Sequence, residues 1–183
     1  MSFTVGTSQK YSTLSIAMHW LMALLIIGVY ACIEIREFYP KGSDPREALK
    51  MWHFMLGLSV FFLVAVRIVA RVLSPAPPIS PPLTAVQQKI SAAMHLGLYA
   101  LMICLPLAGW IMLSAAGKPI PFYGFELPAL VGANEELAKS IKEVHAAVGQ
   151  AGYALIGLHA VASLVHHYKM KDNTLTRMLP GGK

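Results

Sequence analysis

Four of the seven histidines fall within one apolar stretch, KEVHAAVGQAGYALIGLHAVASLVHHY, which runs from Lys142 to Tyr168. His145 and His159 are 14 residues apart, and at about 100° per residue a helix separates them by only about 40° of rotation. One helix face would therefore carry both imidazoles, about 21 Å apart along its axis, with Gly152 midway between them. A bilayer core is about 30 Å thick, so this spacing places one imidazole near each membrane surface and predicts two stacked cofactors.

The composition indicates the class of protein to which the chain belongs. Of the 183 residues, 56% are hydrophobic and 13% are charged, and the mean hydropathy is +0.56, values that indicate an integral membrane protein. The net charge of +6 is scattered through short segments without a basic run, so nucleic-acid binding is not expected. Cys32 and Cys104 form no C-x-x-C motif, which argues against structural zinc and c-type haem.

Four apolar stretches are each long enough to cross a bilayer as a helix, namely residues 16–33, 53–72, 91–114 and 144–168. They predict an all-α integral membrane protein, a four-transmembrane-helix bundle forming a single domain over residues 1–183. An even number of spans places both termini on one side, which carries eight Lys and Arg residues against seven on the other. This small excess favours cytoplasmic termini, because positively charged loops stay inside.

Depth in the membrane pairs the histidines of the other spans with those of span four. His53 begins span two at the outer surface, level with His145, whereas His19 begins span one at the inner surface, level with His159. Facing imidazoles without carboxylate or thiolate neighbours suit haem iron better than zinc or magnesium. We therefore expect two haems b with these four histidines as axial ligands, stacked across the bilayer. Packing of a histidine in the core, or a hydrogen bond between helices, remains an alternative for any single one of them.

Further polar residues cluster at the inner end. Arg67 follows His53 by 14 residues, so it should lie level with the inner pair and bind a haem propionate. His166 continues the histidine stripe towards the inner surface, where imidazole can exchange the protons that quinone reduction requires. Arg71 and His95 are further candidates for a quinone pocket; His95 is also open to a role as a third iron ligand, a propionate contact or a structural hydrogen bond.

A short sequence echo marks the two outer histidines. Each has a lysine about one helical turn before it and a glycine one turn after it, giving Lys50, His53 and Gly57 in one span and Lys142, His145 and Gly149 in another. The glycine lets a flat macrocycle approach the backbone. The lysines, Lys50 and Lys142, are expected to bind carboxylates or to attract an anion towards the outer cofactor.

Several segments resemble the bacterial cytochrome b561 family, which includes superoxide oxidases. They are YSTLSIAMHW from Tyr11, HFMLG from His53, MHLGLYALMICLPLAGW from Met94 and GLHAVASLVHHYKMKDNTLTRMLP from Gly157. The resemblance implies a multi-pass cytochrome of the bacterial inner membrane with two haems b ligated by His19, His53, His145 and His159. It also implies a quinone site near the inner haem. For a superoxide oxidase, it implies oxidation of superoxide at the periplasmic face and reduction of ubiquinone near the cytoplasmic face. Another small periplasmic electron donor in place of superoxide remains an alternative.

Two other interpretations remain open from the residues. The chain could be the cytochrome b anchor of a multi-subunit dehydrogenase, which would need an apolar docking patch; KPIPFYGFELP, from Lys118, is the candidate segment. A haem-free membrane transporter or metal-binding protein would instead need ionisable residues near mid-membrane, whereas the histidines lie towards the two surfaces.

Overall fold

Four long helices dominate the computed structural model, which describes residues 10–181. They are α1 (Thr13–Ile35), α2 (Asp44–Leu73), α3 (Ala85–Ala115) and α4 (Glu135–Val165). Each is long and apolar enough to cross a membrane. The expected all-α, four-span architecture is thereby confirmed. The helices extend beyond most of the predicted spans because polar and charged turns continue them past the apolar core.

Local sequence explains where the helices begin. The side chains of Ser12, Thr84 and Asn134 cap α1, α3 and α4 by accepting hydrogen bonds from backbone amides in the first turn. The sequence pattern SDPRE suggests Asp44 as the cap of α2, but the cap is Ser43, and Asp44 is the first helical residue. In that position the Asp44 carboxylate still complements the positive end of the helix dipole.

The helices pack in sequence order, and this leaves space beside α4. Close backbone packing joins α1 to α2, α2 to α3 and α3 to α4, whereas α4 makes little such contact with α1 or α2. Gly152 is the one buried residue of α4. The core instead lies among the first three helices, where Met22, Val60, Val64 and Met102 form a cluster. The face of α4 that carries the histidines is therefore separated from α1 and α2 by room for other groups.

A short hairpin between α3 and α4, which the sequence reasoning did not predict, covers part of α2. Its antiparallel strands are β1 (Ile120–Phe122) and β2 (Phe125–Leu127). Tyr123 and Gly124 form the connecting turn with φ values of 46° and 88°, the left-handed backbone that tight hairpins require. Ile120 packs against Leu58 and Leu113.

The chain closes one end of the bundle by folding back after α4. This end is here called the inner end and the opposite end the outer end, after the sides expected from the sequence. Residues His166–Met170 form a single π-helical turn, and Lys171 reverses the chain with a φ of 56°. Residues 172–181, here called the C-terminal strap, then bind both the first helix and the α2–α3 connection. Trp20 Nε1 donates to the Met178 carbonyl at 2.8 Å, and the Ser80 amide donates to Asn173 Oδ1 at 2.9 Å.

Candidate functional site

His53 of α2 and His145 of α4 face each other near the outer end of the bundle. Their ring centroids are 6.2 Å apart and the rings are inclined at 74°. His53 Nδ1 lies 3.1 Å from the Val29 carbonyl oxygen. Because a carbonyl only accepts, Nδ1 carries the proton and Nε2 keeps a free lone pair. His145 Nδ1 is buried and faces the Leu105 carbonyl without reaching hydrogen-bond geometry.

A cavity of about 670 Å³ surrounds this outer pair, within the range of sites that bind small molecules and cofactors. Glycines form part of its wall. A Cβ added at Gly57 or Gly149 would meet no atom within 4 Å, and one at Gly109 would lie 3.5 Å from His145 Cε1. Larger residues at these positions would therefore extend into the cavity. Because glycine has no side chain, the wall beside the imidazoles is smooth.

Basic residues also line the outer cavity: Arg36, Lys50, Lys118, Lys139 and Lys142. The structure thus places both predicted lysines, Lys50 and Lys142, at one site. Lys50 Nζ is already 2.6 Å from Glu47 Oε1, whereas Lys142 makes no ion pair within 4.0 Å among residues 10–181. The sequence reasoning missed Lys139. Its position one helical turn before Lys142 is the signal that would have placed it on this face.

His19 of α1 and His159 of α4 form the second facing pair, near the inner end. Their ring centroids are 6.3 Å apart with an inclination of 79°. The His95 ring approaches His159 from α3, with its centroid at 5.7 Å. Arg67 Nη2 lies 3.2 Å from His19 Nδ1. The structure therefore brings Arg67 to the level of the inner pair, as the 14-residue spacing from His53 predicts.

A smaller cavity of about 190 Å³ lies beside the inner pair. Its lining residues are Tyr11, Ser15, Arg67, Arg71, His95, Tyr99 and Met178. Arg67 Nη1 is buried and has no hydrogen-bond partner among the described residues. Two of the predicted quinone candidates, Arg71 and His95, thus share one cavity.

His166, the third quinone candidate, does not line this cavity. Its Nδ1 lies 2.5 Å from Asp172 Oδ2 in the C-terminal strap. Burial alone would raise the pKa of Asp172, but hydrogen bonds from His166 and Thr174 outweigh burial and hold that pKa below its usual range. The chain reversal at Lys171 brings Asp172 beneath α4. Its carboxylate then binds the His166 imidazole. Helical spacing alone would have directed this imidazole towards the inner pair.

The spacing of the imidazoles tests whether these residues fit haem. Two imidazoles that bind one metal ion from opposite sides, each at about 2 Å, have ring centroids about 6.3 Å apart. The outer and inner pairs, at 6.2 Å and 6.3 Å, match this value, whereas His95 and His159, at 5.7 Å, are too close. The cavity of about 670 Å³ around the outer pair also leaves room for such a group.

The contact between Arg67 and His19 would have to change on haem binding. A guanidinium only donates, so His19 Nδ1 accepts and the imidazole proton lies on Nε2. If Nε2 is to bind iron, the proton must move to Nδ1, and Arg67 must turn to another acceptor. A haem carboxylate would provide that acceptor, and the unpaired Nη1 is available for it.

Comparison with known proteins identifies the family. Residues 10–181 match the model of prokaryotic cytochrome b561. The probable superoxide oxidase CybB of Yersinia pestis is 38% identical over 172 residues, covering 94% of this chain and 97% of that protein. Cytochrome b561 homologs 1 and 2 of Escherichia coli strain K12 are 37% and 30% identical, and cover 96% and 98% of this chain and 99% and 95% of their own lengths.

These relationships agree with the four membrane-spanning helices and confirm the resemblance seen in the sequence. The family name implies haem b and electron transport, which excludes a haem-free transporter. The chain belongs to the prokaryotic cytochrome b561 family and is a multi-pass membrane oxidoreductase of electron transport.

Proposed function

We propose that this protein oxidises superoxide at the periplasmic face of the bacterial inner membrane and reduces ubiquinone near the cytoplasmic face. The observation that carries the proposal is the pair of imidazole sites along α4, each with the centroid separation that bis-imidazole iron requires. The name of the Yersinia pestis relative, probable superoxide oxidase, supports superoxide as the donor. Overall, two superoxide anions become two molecules of oxygen, while one ubiquinone takes up two electrons and two protons.

His53 and His145 would hold the outer haem b, and His19 and His159 the inner one. A haem held by two imidazoles would supply one-electron chemistry and would leave no iron position for substrate. The chain's contribution is to fix the four imidazoles at two depths. Val29 selects the His53 tautomer whose Nε2 is free to bind iron.

At the outer face, the chain must attract a small anion and bind it only weakly. Lys118, Lys139 and Lys142 are exposed at the outer cavity, and none has an acidic partner within 4.0 Å in the described part of the chain. Their charges raise the local concentration of anions near the outer pair. Oxidising superoxide to oxygen requires no proton transfer, so this face needs no general acid or base.

At the inner face, the smaller cavity of about 190 Å³ offers hydrogen-bond donors for a quinone head group. Arg71 and the Tyr11 hydroxyl can donate hydrogen bonds to quinone oxygens. His95 Nδ1 donates to the Ser91 carbonyl at 2.7 Å, so Nε2 is the atom that can take up and pass on a proton.

The main alternative, an anchor subunit of a larger dehydrogenase, loses support from the outer hairpin. The segment KPIPFYGFELP was the candidate docking patch, yet Ile120, Phe122 and Leu127 pack within the protein's own core. Tyr123 binds Ser59 across the hairpin interface, with 3.0 Å between the hydroxyl oxygens. Phe125 is the main apolar side chain of the hairpin left exposed. We therefore favour a cytochrome that works as a single chain.

The experiment places purified, haem-loaded protein in liposomes containing ubiquinone and generates superoxide outside. We expect reduction of the haem absorbance, formation of ubiquinol, and loss of both when superoxide dismutase is added. Haem that dithionite reduces but superoxide does not would contradict the proposed donor. Co-purification of a second, stoichiometric subunit would favour the dehydrogenase anchor.

A further inference from the structure

We infer that the groups behind the histidines give the inner pair the higher electron affinity, so that transfer from the outer to the inner site is downhill. The inference rests on the proposed function, because it presupposes a haem at each pair. The arrangement of two sites does not by itself determine which of them has the higher reduction potential. Two identical sites would pass electrons equally well in either direction.

One of the two outer imidazoles has a backbone carbonyl behind it. His53 Nδ1 donates to the Val29 carbonyl at 3.1 Å, whereas the buried His145 Nδ1 has no hydrogen-bond partner among the described residues. An acceptor on Nδ1–H makes the imidazole a more basic ligand. More basic ligands stabilise oxidised iron, which lowers the reduction potential of the site.

The inner imidazoles face a cation and another imidazole. Arg67 Nη2 is 3.2 Å from His19 Nδ1, and its charge also acts on His159. Arg67 makes no ion pair within 4.0 Å among residues 10–181. His159 packs against His95. A fixed positive charge beside the ligands stabilises the reduced iron, which carries one positive charge fewer. If Arg67 turns to a haem carboxylate, His19 still lacks the carbonyl acceptor that His53 has.

The basic residues of the outer cavity would raise the reduction potential of the outer site, but their effect is weaker than that of Arg67 on the inner site. Arg36 and Lys50 are paired with Glu37 and Glu47 at 3.0 Å and 2.6 Å, and Glu34 lines the same cavity. The remaining lysines are exposed, so water and salt screen them. Arg67 Nη1, in contrast, is buried. The difference in reduction potential between the two sites is therefore set by the groups next to the imidazole rings.

The test is a spectroscopic redox titration of the haem-loaded protein and four variants. His145→Ala, which should retain only the inner haem, identifies the inner transition. We expect this transition to be the one of higher potential in the wild type. Arg67→Gln should shift it to lower potential, Arg67→Lys should shift it less, and the matched control Arg36→Gln should leave it in place.

A surviving transition in His145→Ala that corresponds to the lower wild-type potential would overturn the inference. So would an unshifted inner transition in Arg67→Gln with both haems retained. If Arg67→Gln loses the inner haem, the comparison of wild type with His145→Ala still decides the order. A wild-type protein with fewer than two haems would instead overturn the proposed function, and the inference with it.

Discussion

The outer and inner ends of the molecule differ in size and lining, and under the proposed function they would serve different tasks. The outer cavity is large, about 670 Å³, and is rimmed by lysines. The inner cavity, about 190 Å³, is lined by arginine, histidine and tyrosine side chains, and Met178 of the strap forms one wall. Under the proposed function, an anion that gives up an electron would need only attraction and access at the outer end. A quinone that takes up protons would need groups that donate and exchange them, and the inner cavity offers Tyr11, Arg71 and His95.

The largest effect that separates the two ends should come from their ligands. We expect His145→Ala to lose the outer haem and His159→Ala to lose the inner one, because one imidazole cannot satisfy both axial positions. Each variant should retain one of the two haems, measured by pyridine haemochrome absorbance per chain. His167→Ala, a control outside both pairs, should retain both. Retention of both haems in His145→Ala would remove that residue from the ligand set.

A side chain at Gly152, midway between the two histidines of α4, should force its neighbours to move. A Cβ there would overlap the Tyr30 hydroxyl and lie 2.9 Å from Leu101 Cδ1. We expect Gly152→Ala to cost up to about 3 kcal/mol through overpacking. The matched change Gly157→Ala on the same helix, where a Cβ meets open space outside both cavities, should be neutral or stabilising by up to about 1 kcal/mol. Thermal unfolding in detergent measures both, and equal stabilities would contradict the close approach of the Tyr30 side chain to α4.

The strap makes the inner end sensitive to acid. Asp172 is 5% exposed, and its pKa is held below the ordinary 3.8, so its contribution to stability is complete above about pH 4 and is lost as the pH falls through the lowered pKa. Asp172→Asn should therefore destabilise the strap at pH 7 by about 1.5 kcal/mol, the scale of a charged hydrogen bond.

Hydrogen exchange of residues 172–181 reports this effect. The difference between Asp172→Asn and wild type should shrink as the pH falls below 3.8. A difference that stays constant down to the lowest accessible pH would mean that the ionised carboxylate does not hold the strap.

The smallest effect should come from single charges at the outer rim. Lys142→Gln should slow haem reduction by superoxide about twofold at low salt, and the difference should fade at high salt because ions screen exposed charges. Lys169→Gln, which removes an exposed charge at the inner end, is the matched control and should leave the rate unchanged. Equal rates in the two variants at low salt would show that the attraction arises elsewhere.

Periodicity made much of this arrangement predictable. Helical repeat and bilayer thickness fix the depth of each residue on a spanning helix, which is why His53 and His145 meet, as do His19 and His159. Arg67 reaches the inner pair for the same reason.

The hairpin and the strap were not predictable in this way, because they depend on contacts between distant segments and on backbone conformations outside the helix. The Ser59–Tyr123 contact joins residues 64 positions apart. The His166–Asp172 pair requires a left-handed backbone at Lys171, which a lysine adopts only when its surroundings impose it. A helical stripe therefore predicted the direction of His166 but not the carboxylate that binds it.

The central claim is that each histidine pair holds one haem b. Its most direct test is a reduced-minus-oxidised spectrum of the purified wild-type protein together with haem quantification per chain. We expect two b-type haems per chain with bis-histidine spectra. One haem or none per chain in protein supplied with haem during expression would contradict the two-site account.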